Sequence, residues 1–234
     1  TSTYFLSHMH SDHTNGLGKS FKKGIIIATP TTCRLVANKF GLPESTFIPV
    51  DIGSRIYLTN TTGADLEAVE QWIRSESPEN PSLRFNPDVS DTGEPCVVSV
   101  DVIEANHCPG ACMFLFSLYH WESSSATLFF TTLYTGDFRN TKDLIPSTVL
   151  KDYTLSQNRC IDHIYLDNTY CDKKYVFPPQ SAIIKTVIHV LKEYYLKAIQ
   201  QKQVLVLFST YSIGKENIWL AAAKELGMKI YVNG

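Results

Sequence analysis

This 234-residue sequence lacks both an excess of positive charge and a long apolar run. Because its formal net charge is −2, the chain is not a basic nucleic-acid binder as a whole, and a nucleic acid would have to be held by a local patch or through metal ions. No apolar run approaches the length of a transmembrane span, and no secretory signal is visible. The sequence starts at Thr1, almost inside an apolar run, and stops at Gly234 after another, so we expect a fragment of a longer protein.

Paired metal-binding cysteines are also missing, since none of the six cysteines forms a C-x-x-C pair. Their spread through apolar segments is typical of reduced, mostly buried thiols in a cytosolic or nuclear protein. Cys108 stands beside a candidate ligand and could bind a metal as a thiolate. The histidines and aspartates described next supply enough ligands without it.

The strongest pattern in the sequence is a cluster of metal-ligand side chains close to its start. His8, His10, Asp12 and His13 follow the apolar run 4–6, which predicts a buried strand with the cluster in the loop at its carboxyl end. Imidazole and carboxylate together suit zinc, manganese or iron. Four such ligands exceed what one catalytic metal needs, so the pattern predicts two metals that share a site. A His-rich surface loop is the alternative, but H-x-H-x-D-H directly after a strand is rarely accidental.

Three further candidates stand at the ends of later predicted strands. His107 follows the strand-like run 97–103, Asp137 follows 127–134, and Asp167 ends the run 163–166. Strand-end loops suit metal ligands because the sheet fixes the loop while leaving room for the metal. Asp137 is expected to bridge two cations. The alternative, which the local sequence fits equally well, is an aspartate in a turn that caps a backbone amide. Asp167 is expected either to bind metal or to orient a ligand histidine.

The remaining pattern along residues 1–170 predicts a layered α/β domain. Strand-like runs at 24–30, 46–49, 54–58 and 113–116 alternate with a helix at about 33–39, which Thr31 or Thr32 caps and Gly41 ends. Residues from about 75 to 95 mix four prolines with polar side chains, which predicts a solvated loop or a disordered insertion.

The sequence changes character after Tyr170 and predicts a second α/β unit. A helix at about 181–200 precedes a strand at 203–208, a helix at 218–226 and a strand from 229 to 232. The loop before the second helix resembles a phosphate-binding P-loop only in part, because Glu216 follows its lysine where Ser or Thr is needed. A helix start with a lysine beside it can still hold a phosphate, and a well-capped helix start is an equally good reading. The candidate phosphate or DNA contacts are Ser209, Thr210, Tyr211, Ser212 and Lys215.

These motifs together resemble a known family. The stretches YFLSHMHSDH (4–13), ANHCPGA (105–111), YTGDFR (134–139) and TYSIGKE (210–216) are similar to those of the DNA cross-link repair nucleases, which include Artemis, Apollo and the yeast nitrogen-mustard-sensitivity protein. The first stretch is shared across the metallo-β-lactamase superfamily, and the other three are narrower. The resemblance covers nearly the whole chain apart from the polar insertion.

The resemblance implies a fold class and a ligand set. The fold would be a partial metallo-β-lactamase αββα sandwich over residues 1–170, with the polar insertion at about 75–95, followed by the beginning of an inserted β-CASP α/β domain at 171–234. One metal would be held by His8, His10 and His107, a second by Asp12 and His13, and Asp137 would lie between them. Asp12, Asp137 and Asp167 would be the catalytic carboxylates.

The resemblance also implies a function. The expected activity is hydrolysis of phosphodiester bonds with one or two zinc ions, as a 5′-to-3′ exonuclease acting on DNA ends or single strands in the repair of interstrand cross-links in the nucleus. A β-CASP endonuclease that processes RNA is the alternative, although the narrow motifs disfavour it. A lactam or thioester hydrolase is disfavoured by the second unit, and a degenerate scaffold protein by the presence of all six predicted ligands.

Overall fold

The computed structural model describes residues 2–76, 82–85, 94–122, 125–146, 148–153, 159–198 and 204–232. The chain forms two compact units, Thr1–Asp167 and Asn168–Gly234. The boundary expected from the sequence, after residue 170, lies three residues further along the chain. The identification of the two units as metallo-β-lactamase-like and β-CASP domains stays a prediction.

The first unit contains nine strands and two α-helices in its described part. The strands are β1 (Ser2–Phe5), β2 (Gly24–Ala28), β3 (Phe47–Pro49), β4 (Arg55–Thr59), β5 (Ser82–Phe85), β6 (Cys96–Glu104), β7 (Cys112–Glu122), β8 (Ser125–Tyr134) and β9 (His163–Tyr165). The helices are α1 (Pro30–Phe40) and α2 (Ala64–Glu76), and short 3-10 turns cover Glu44–Thr46 and Val149–Tyr153.

A three-stranded sheet carries the first candidate ligands. It has the order β1-β2-β3 with all strands parallel, and Tyr4 lies opposite Ile26. Parallel strands end at the same edge of a sheet. The loop after β1 and the beginning of α1 after β2 therefore lie at one edge, where Leu6 N–H continues the ladder by donating to the carbonyl of Ile27 at 3.0 Å.

A six-stranded mixed sheet carries the other candidates at one end. Its order is β5-β4-β6-β7-β8-β9, with antiparallel pairing from β4 to β8 and parallel pairing at both outer pairs. Glu104 at the end of β6 pairs with Cys112 at the start of β7, and Phe114 pairs with Tyr134 at the end of β8. Tyr134 in turn pairs with Tyr165 at the end of β9. This register brings the loops after β6, β8 and β9 to the same end of the sheet.

The two sheets pack face to face between two outer helices. One core cluster joins Ile27 of the smaller sheet to Val98, Val100 and Phe114 of the larger one. Side chains alternate between the faces of a strand, so Ile26 and Ala28, both fully buried, point to the other face of the smaller sheet, which α1 covers. A second cluster packs α2 against the outer face of the larger sheet. The predicted α/β class with αββα layering is confirmed.

Helix α1 shows how the sequence sets the ends of an element. Thr29, not the predicted Thr31 or Thr32, is its N-cap, because the Thr29 hydroxyl accepts a hydrogen bond from the Thr32 amide at 3.3 Å. Pro30 occupies the first helical turn, where its missing N–H costs nothing. Gly41 ends the helix as predicted, with φ at 65° in the left-handed region.

Three sequence expectations are wrong or incomplete. Helix α2 was not predicted, although acidic residues in its first turn and the spacing of Val69 and Ile73 give a helical signal. Within the predicted polar insertion, Ser82–Phe85 form β5, whose Leu83 packs on the α2 cluster; residues 77–81 and 86–93 lie outside the described residues. The strands expected at 203–208 and 229–232 are absent from the described residues of those stretches, because neither finds a strand to pair with there.

The second unit contains helices α3 (Gln180–Ala198) and α4 (Glu216–Leu226). Both were predicted, and Gly227 ends α4 in the left-handed conformation. Lys192 of α3 and Glu225 of α4 form an ion pair, which adds little stability because both side chains are nearly half exposed. Among the described residues, no helix combines the length and the apolar character needed to cross a membrane.

Candidate metal centre

The loop after β1 folds tightly around its own backbone. The amide of His13 donates to the carbonyl of His10 at 3.2 Å, and the Thr14 hydroxyl donates to the same carbonyl at 3.0 Å. The side chain of Met9, within this loop, is buried. This turn directs the rings of His8, His10 and His13 towards one another, with ring centroids 4.2 to 4.7 Å from that of His8.

The loop after β6 brings His107 to the same place. Asn106 precedes it with φ at 54°, a left-handed conformation that asparagine tolerates better than most residues. The next turn is closed by the Ala111 amide, which donates to the carbonyl of Cys108 at 2.9 Å. The loop is therefore a defined structure that presents His107.

Two buried hydroxyls at the start of α1 hold the far side of that loop. Thr29 and Thr32 donate to the carbonyl of Gly110 at 2.7 and 3.0 Å. Gly110 has φ at 82°, and a Cβ there would lie 2.9 Å from the Cβ of Thr31. Only glycine fits this position, so the loop and the helix start hold each other in place.

The loop after β8 carries Asp137 between the other two loops. Gly136 has φ at 51°, and a Cβ added there would lie 2.8 Å from both the Cβ and the Oγ of Ser7. On its other side, the amide of Arg139 donates to the carbonyl of Ala105 at 2.8 Å. The backbone on both sides of Asp137 thus contacts the two histidine-bearing loops, which places Asp137 between them.

Four ligand atoms converge on one point. The Nε2 atoms of His8 and His107 lie 3.0 and 3.2 Å from Nδ1 of His10. The same Nε2 atoms lie 3.7 and 3.4 Å from Oδ2 of Asp137. Ligands bound tetrahedrally to zinc at about 2.0–2.1 Å are about 3.3–3.4 Å apart, which is where these separations centre. Among the described residues, His8, His10, His107 and Asp137 form one group that could hold a metal ion.

The second carboxylate oxygen of Asp137 faces a different pair of side chains. Its Oδ1 lies 3.1 Å from Nε2 of His13, which is itself 3.6 Å from Oδ2 of Asp12. Asp12 is mostly exposed, whereas His13 and Asp137 are each about a third exposed. The two oxygens of Asp137 therefore point to two neighbouring groups of ligand-type atoms.

Desolvation keeps the rings of His8 and His107 in the neutral form that binds metals. Desolvation of the buried ring, followed by the nearby His13, His107 and His10, lowers the pKa of His8 to about 3. Desolvation also lowers the pKa of His107, while the charges of Asp137 and Asp167 act in the opposite direction. Both rings are therefore neutral at pH 7, and a neutral imidazole is the ligand form.

Asp167 lies close to this centre but outside the group of four. Its amide donates to the Thr135 hydroxyl at 3.0 Å, and the Thr135 amide donates to the carbonyl of Tyr165 at 3.1 Å. These bonds tie the Asp167 segment to the segment that leads into Asp137. The carboxylate influences His107 through its charge, so its predicted role as a ligand or an orienting group stays a prediction.

The candidate phosphate contacts belong to the second unit and are described by themselves. Lys215 is the N-cap residue of α4 and has a left-handed conformation, and its ammonium lies 4.6 Å from the ring centroid of Tyr211. The amide of Gly214 donates to the carboxylate of Glu216 at 2.7 Å. Glu216 therefore occupies the Gly214 amide, whereas the side chain of the N-cap residue, Lys215, makes no capping hydrogen bond. The role predicted for Ser209, Thr210, Tyr211, Ser212 and Lys215 stays a prediction.

Sequence patterns identified the ligand-type residues but not the side chains that support them. Ser7, Thr29, Thr32 and Thr135 contact residues that are distant in sequence or follow a turn. Single hydroxyl residues carry no periodic or motif signal. The presence of Ser7 beside His8 is the one hint that the sequence offers.

No family model matches the chain. The DNA cross-link repair protein SNM1 of Arabidopsis thaliana is 31% identical over 232 residues, which make up 99% of this chain and 37% of that protein. The DNA cross-link repair protein pso2/snm1 of Schizosaccharomyces pombe is 33% identical over 229 residues, 98% of this chain and 32% of that protein. The 5′ exonuclease Apollo of Danio rerio is 30% identical over 222 residues, 95% of this chain and 30% of that protein. The chain thus spans about a third of the length of these relatives.

Proposed function

We propose that this chain is part of a metal-dependent DNA nuclease. It belongs to the family of DNA cross-link repair proteins that includes SNM1, pso2/snm1 and Apollo, to which it is similar over nearly its whole length. The observation that carries the proposal is the carboxylate of Asp137, whose two oxygens face two groups of ligand atoms. A bridging carboxylate of this kind is typical of two-metal sites that hydrolyse phosphodiesters.

The residues present fit a pair of ions. His8, His10 and His107 would hold the first ion, Asp12 and His13 would hold the second, and Asp137 would contact both. Three imidazoles and a carboxylate with tetrahedral spacing favour zinc for the first position. The exposure of Asp12 leaves the second position accessible to solvent and substrate.

The chemistry is water attack on a phosphodiester. When bound, the ions would lower the pKa of the attacking water and neutralise charge on the scissile phosphate. The new bond forms between water oxygen and phosphorus, the bond from phosphorus to the 3′-oxygen breaks, and that oxygen leaves with a proton. Asp12 and Asp137 supply negative charge that would face the ions, and the negative charge of Asp167 acts on His107. The products are a 3′-hydroxyl and a 5′-phosphate.

Charge is divided unequally between the two units. Residues 1–167 contain twelve basic and nineteen acidic side chains, a net charge of −7, whereas residues 168–234 contain nine lysines and four acidic side chains, a net charge of +5. The acidic excess of the first unit suits cations, and the excess of lysines in the second unit suits a polyanionic backbone such as that of a nucleic acid. We assign Ser209, Thr210, Tyr211, Ser212 and Lys215 to contact with a DNA phosphate on this basis.

The names of the relatives support a proposal for the direction and setting of the reaction. One relative is named as a 5′ exonuclease and two as DNA cross-link repair proteins. We therefore propose digestion from the 5′ end of DNA, preferably at a 5′-phosphate, during repair of interstrand cross-links in the nucleus.

The test uses the full-length protein and labelled oligonucleotides of one sequence. The substrates are single-stranded DNA with a 5′-phosphate, the same DNA with a 5′-hydroxyl, and the corresponding RNA. We expect a ladder of products shortened from the 5′ end, faster with the 5′-phosphate, and loss of all cleavage when a chelator removes the metal. Internal cuts in RNA with little cleavage of DNA would instead identify the RNA-processing endonuclease, and no cleavage of either by the metal-loaded protein would overturn the proposal.

A further inference from the structure

His8 is the most enclosed of the candidate ligands. Its side chain has no exposed surface, and its two ring nitrogens face different surroundings. Nε2 faces the convergence point, 3.0 Å from Nδ1 of His10. Nδ1 lies 3.1 Å from the hydroxyl oxygen of Ser7.

The contact with Ser7 bears on which nitrogen carries the proton. A neutral imidazole has one protonated and one unprotonated nitrogen, and only the unprotonated nitrogen can bind a metal. If Nε2 of His8 is to bind, the proton must be on Nδ1, which then donates to Oγ of Ser7. In the other tautomer Nε2–H would point at the position of the metal and prevent binding.

Ser7 is itself held by two of the other ligand-bearing segments. Its backbone carbonyl accepts hydrogen bonds from the amide and the thiol of Cys112, at 3.0 and 3.6 Å, where β7 begins after the His107 loop. Its Cβ and Oγ pack so closely against Gly136 that a Cβ there would lie 2.8 Å from each. Ser7 therefore has little freedom to move its hydroxyl away from His8.

We propose that Ser7 is a positioning residue that sets the tautomer and ring orientation of His8, so that Nε2 presents its lone pair to the first metal ion. The inference rests on the proposed metal site. A second hydrogen bond from a ligand histidine fixes both its tautomer and its orientation, and loss of such a partner weakens metal binding by about 10–100-fold. In most metal sites the partner is a carboxylate, a carbonyl or water; here it is the serine that precedes the ligand.

The experiment compares Ser7→Ala with Ser11→Ala in the full-length protein. Ser11 lies in the same loop but is exposed, so its replacement removes a hydroxyl without touching His8. Zinc affinity is measured by competition with a chromophoric chelator. We expect Ser7→Ala to bind zinc about 10–100-fold more weakly and Ser11→Ala to bind as the unchanged protein does.

A second measurement separates tautomer control from general loosening of the fold. Nitrogen-15 NMR of the metal-free protein, labelled at histidine, reports the tautomer of His8, whose signals are assigned by their loss in His8→Gln. We expect the Nδ1–H form in the unchanged protein and a mixture of tautomers in Ser7→Ala. Unchanged zinc affinity in Ser7→Ala, or weaker affinity with an unchanged tautomer, would overturn the proposal.

These readouts do not depend on DNA cleavage. A protein that binds zinc with the predicted response to Ser7→Ala but cleaves no nucleic acid would contradict the proposed nuclease function and leave the role of Ser7 standing. Cleavage of DNA together with wild-type affinity and tautomer in Ser7→Ala would do the reverse.

Discussion

Replacement of Asp137 with asparagine in the full-length protein is expected to abolish DNA cleavage. The substitution keeps the size of the side chain but removes the negative charge that faces His8 and His107 on one side and His13 on the other. An amide cannot bridge two cations as a carboxylate does, and metal ions stabilise the transition state by several kcal/mol. A loss of about 3 kcal/mol already slows cleavage about a hundredfold, and we expect at least that effect.

The measurement is the rate of cleavage of 5′-phosphorylated DNA, together with the metal content of each protein. Asp51→Asn is the matched control, because Asp51 is exposed and lies in a turn before β4. Both variants are expected to remain folded, and only Asp137→Asn is expected to lose metal and activity. Wild-type cleavage by Asp137→Asn with intact metal content would remove Asp137 from the site.

Replacement of Gly136 with alanine is expected to have the second largest effect. The residue adopts φ of 51°, where a non-glycine side chain costs about 1–3 kcal/mol. A methyl group there would also lie within 2.8 Å of Ser7, which is held by Cys112 and cannot retreat freely. The loop must therefore shift, and Asp137, the next residue, shifts with it. We expect loss of metal and at least about a tenfold slower cleavage, because ligand sites tolerate displacements of only about 0.5 Å.

The control for this prediction separates backbone strain from displacement of the site. Gly63 has φ of 62°, and an added Cβ there meets nothing within 4 Å. Gly63→Ala should therefore lower the free energy of unfolding by a similar strain term while leaving metal content and cleavage unchanged. Equal loss of activity in both variants would show that the effect is global destabilisation and not movement of Asp137.

The candidate ligands could be identified from the sequence because each follows an apolar strand. The loop after β1 presents four of them within six residues, and His107 and Asp137 each follow a strand that the structure contains. The convergence of these side chains on one site could not be derived from their spacing in the sequence alone. It depends on the register that pairs Glu104 with Cys112 and Phe114 with Tyr134, and on the bond between Cys112 and Ser7 that joins the two sheets at this end.

Two other differences from the sequence expectations share one physical reason. The described part of the strand expected at 203–208, residues 204–208, is not a strand, and Leu205 and Leu207 there are more than four-fifths exposed, since strand propensity produces a strand only where a partner backbone is available. Conversely, β5 lies in a polar, proline-rich stretch and forms because β4 offers an edge to pair with. Strand pairing depends on the whole fold, so a local stretch of sequence does not predict it.

The most direct test of the metal site is anomalous X-ray scattering at the zinc absorption edge from crystals of the zinc-loaded, full-length protein. We predict one peak about 2.0–2.1 Å from Nε2 of His8, Nδ1 of His10 and Nε2 of His107. We predict a second peak beside His13 and Asp12, with one oxygen of Asp137 directed at each peak. Zinc bound elsewhere, with no peak among these side chains, would contradict the account.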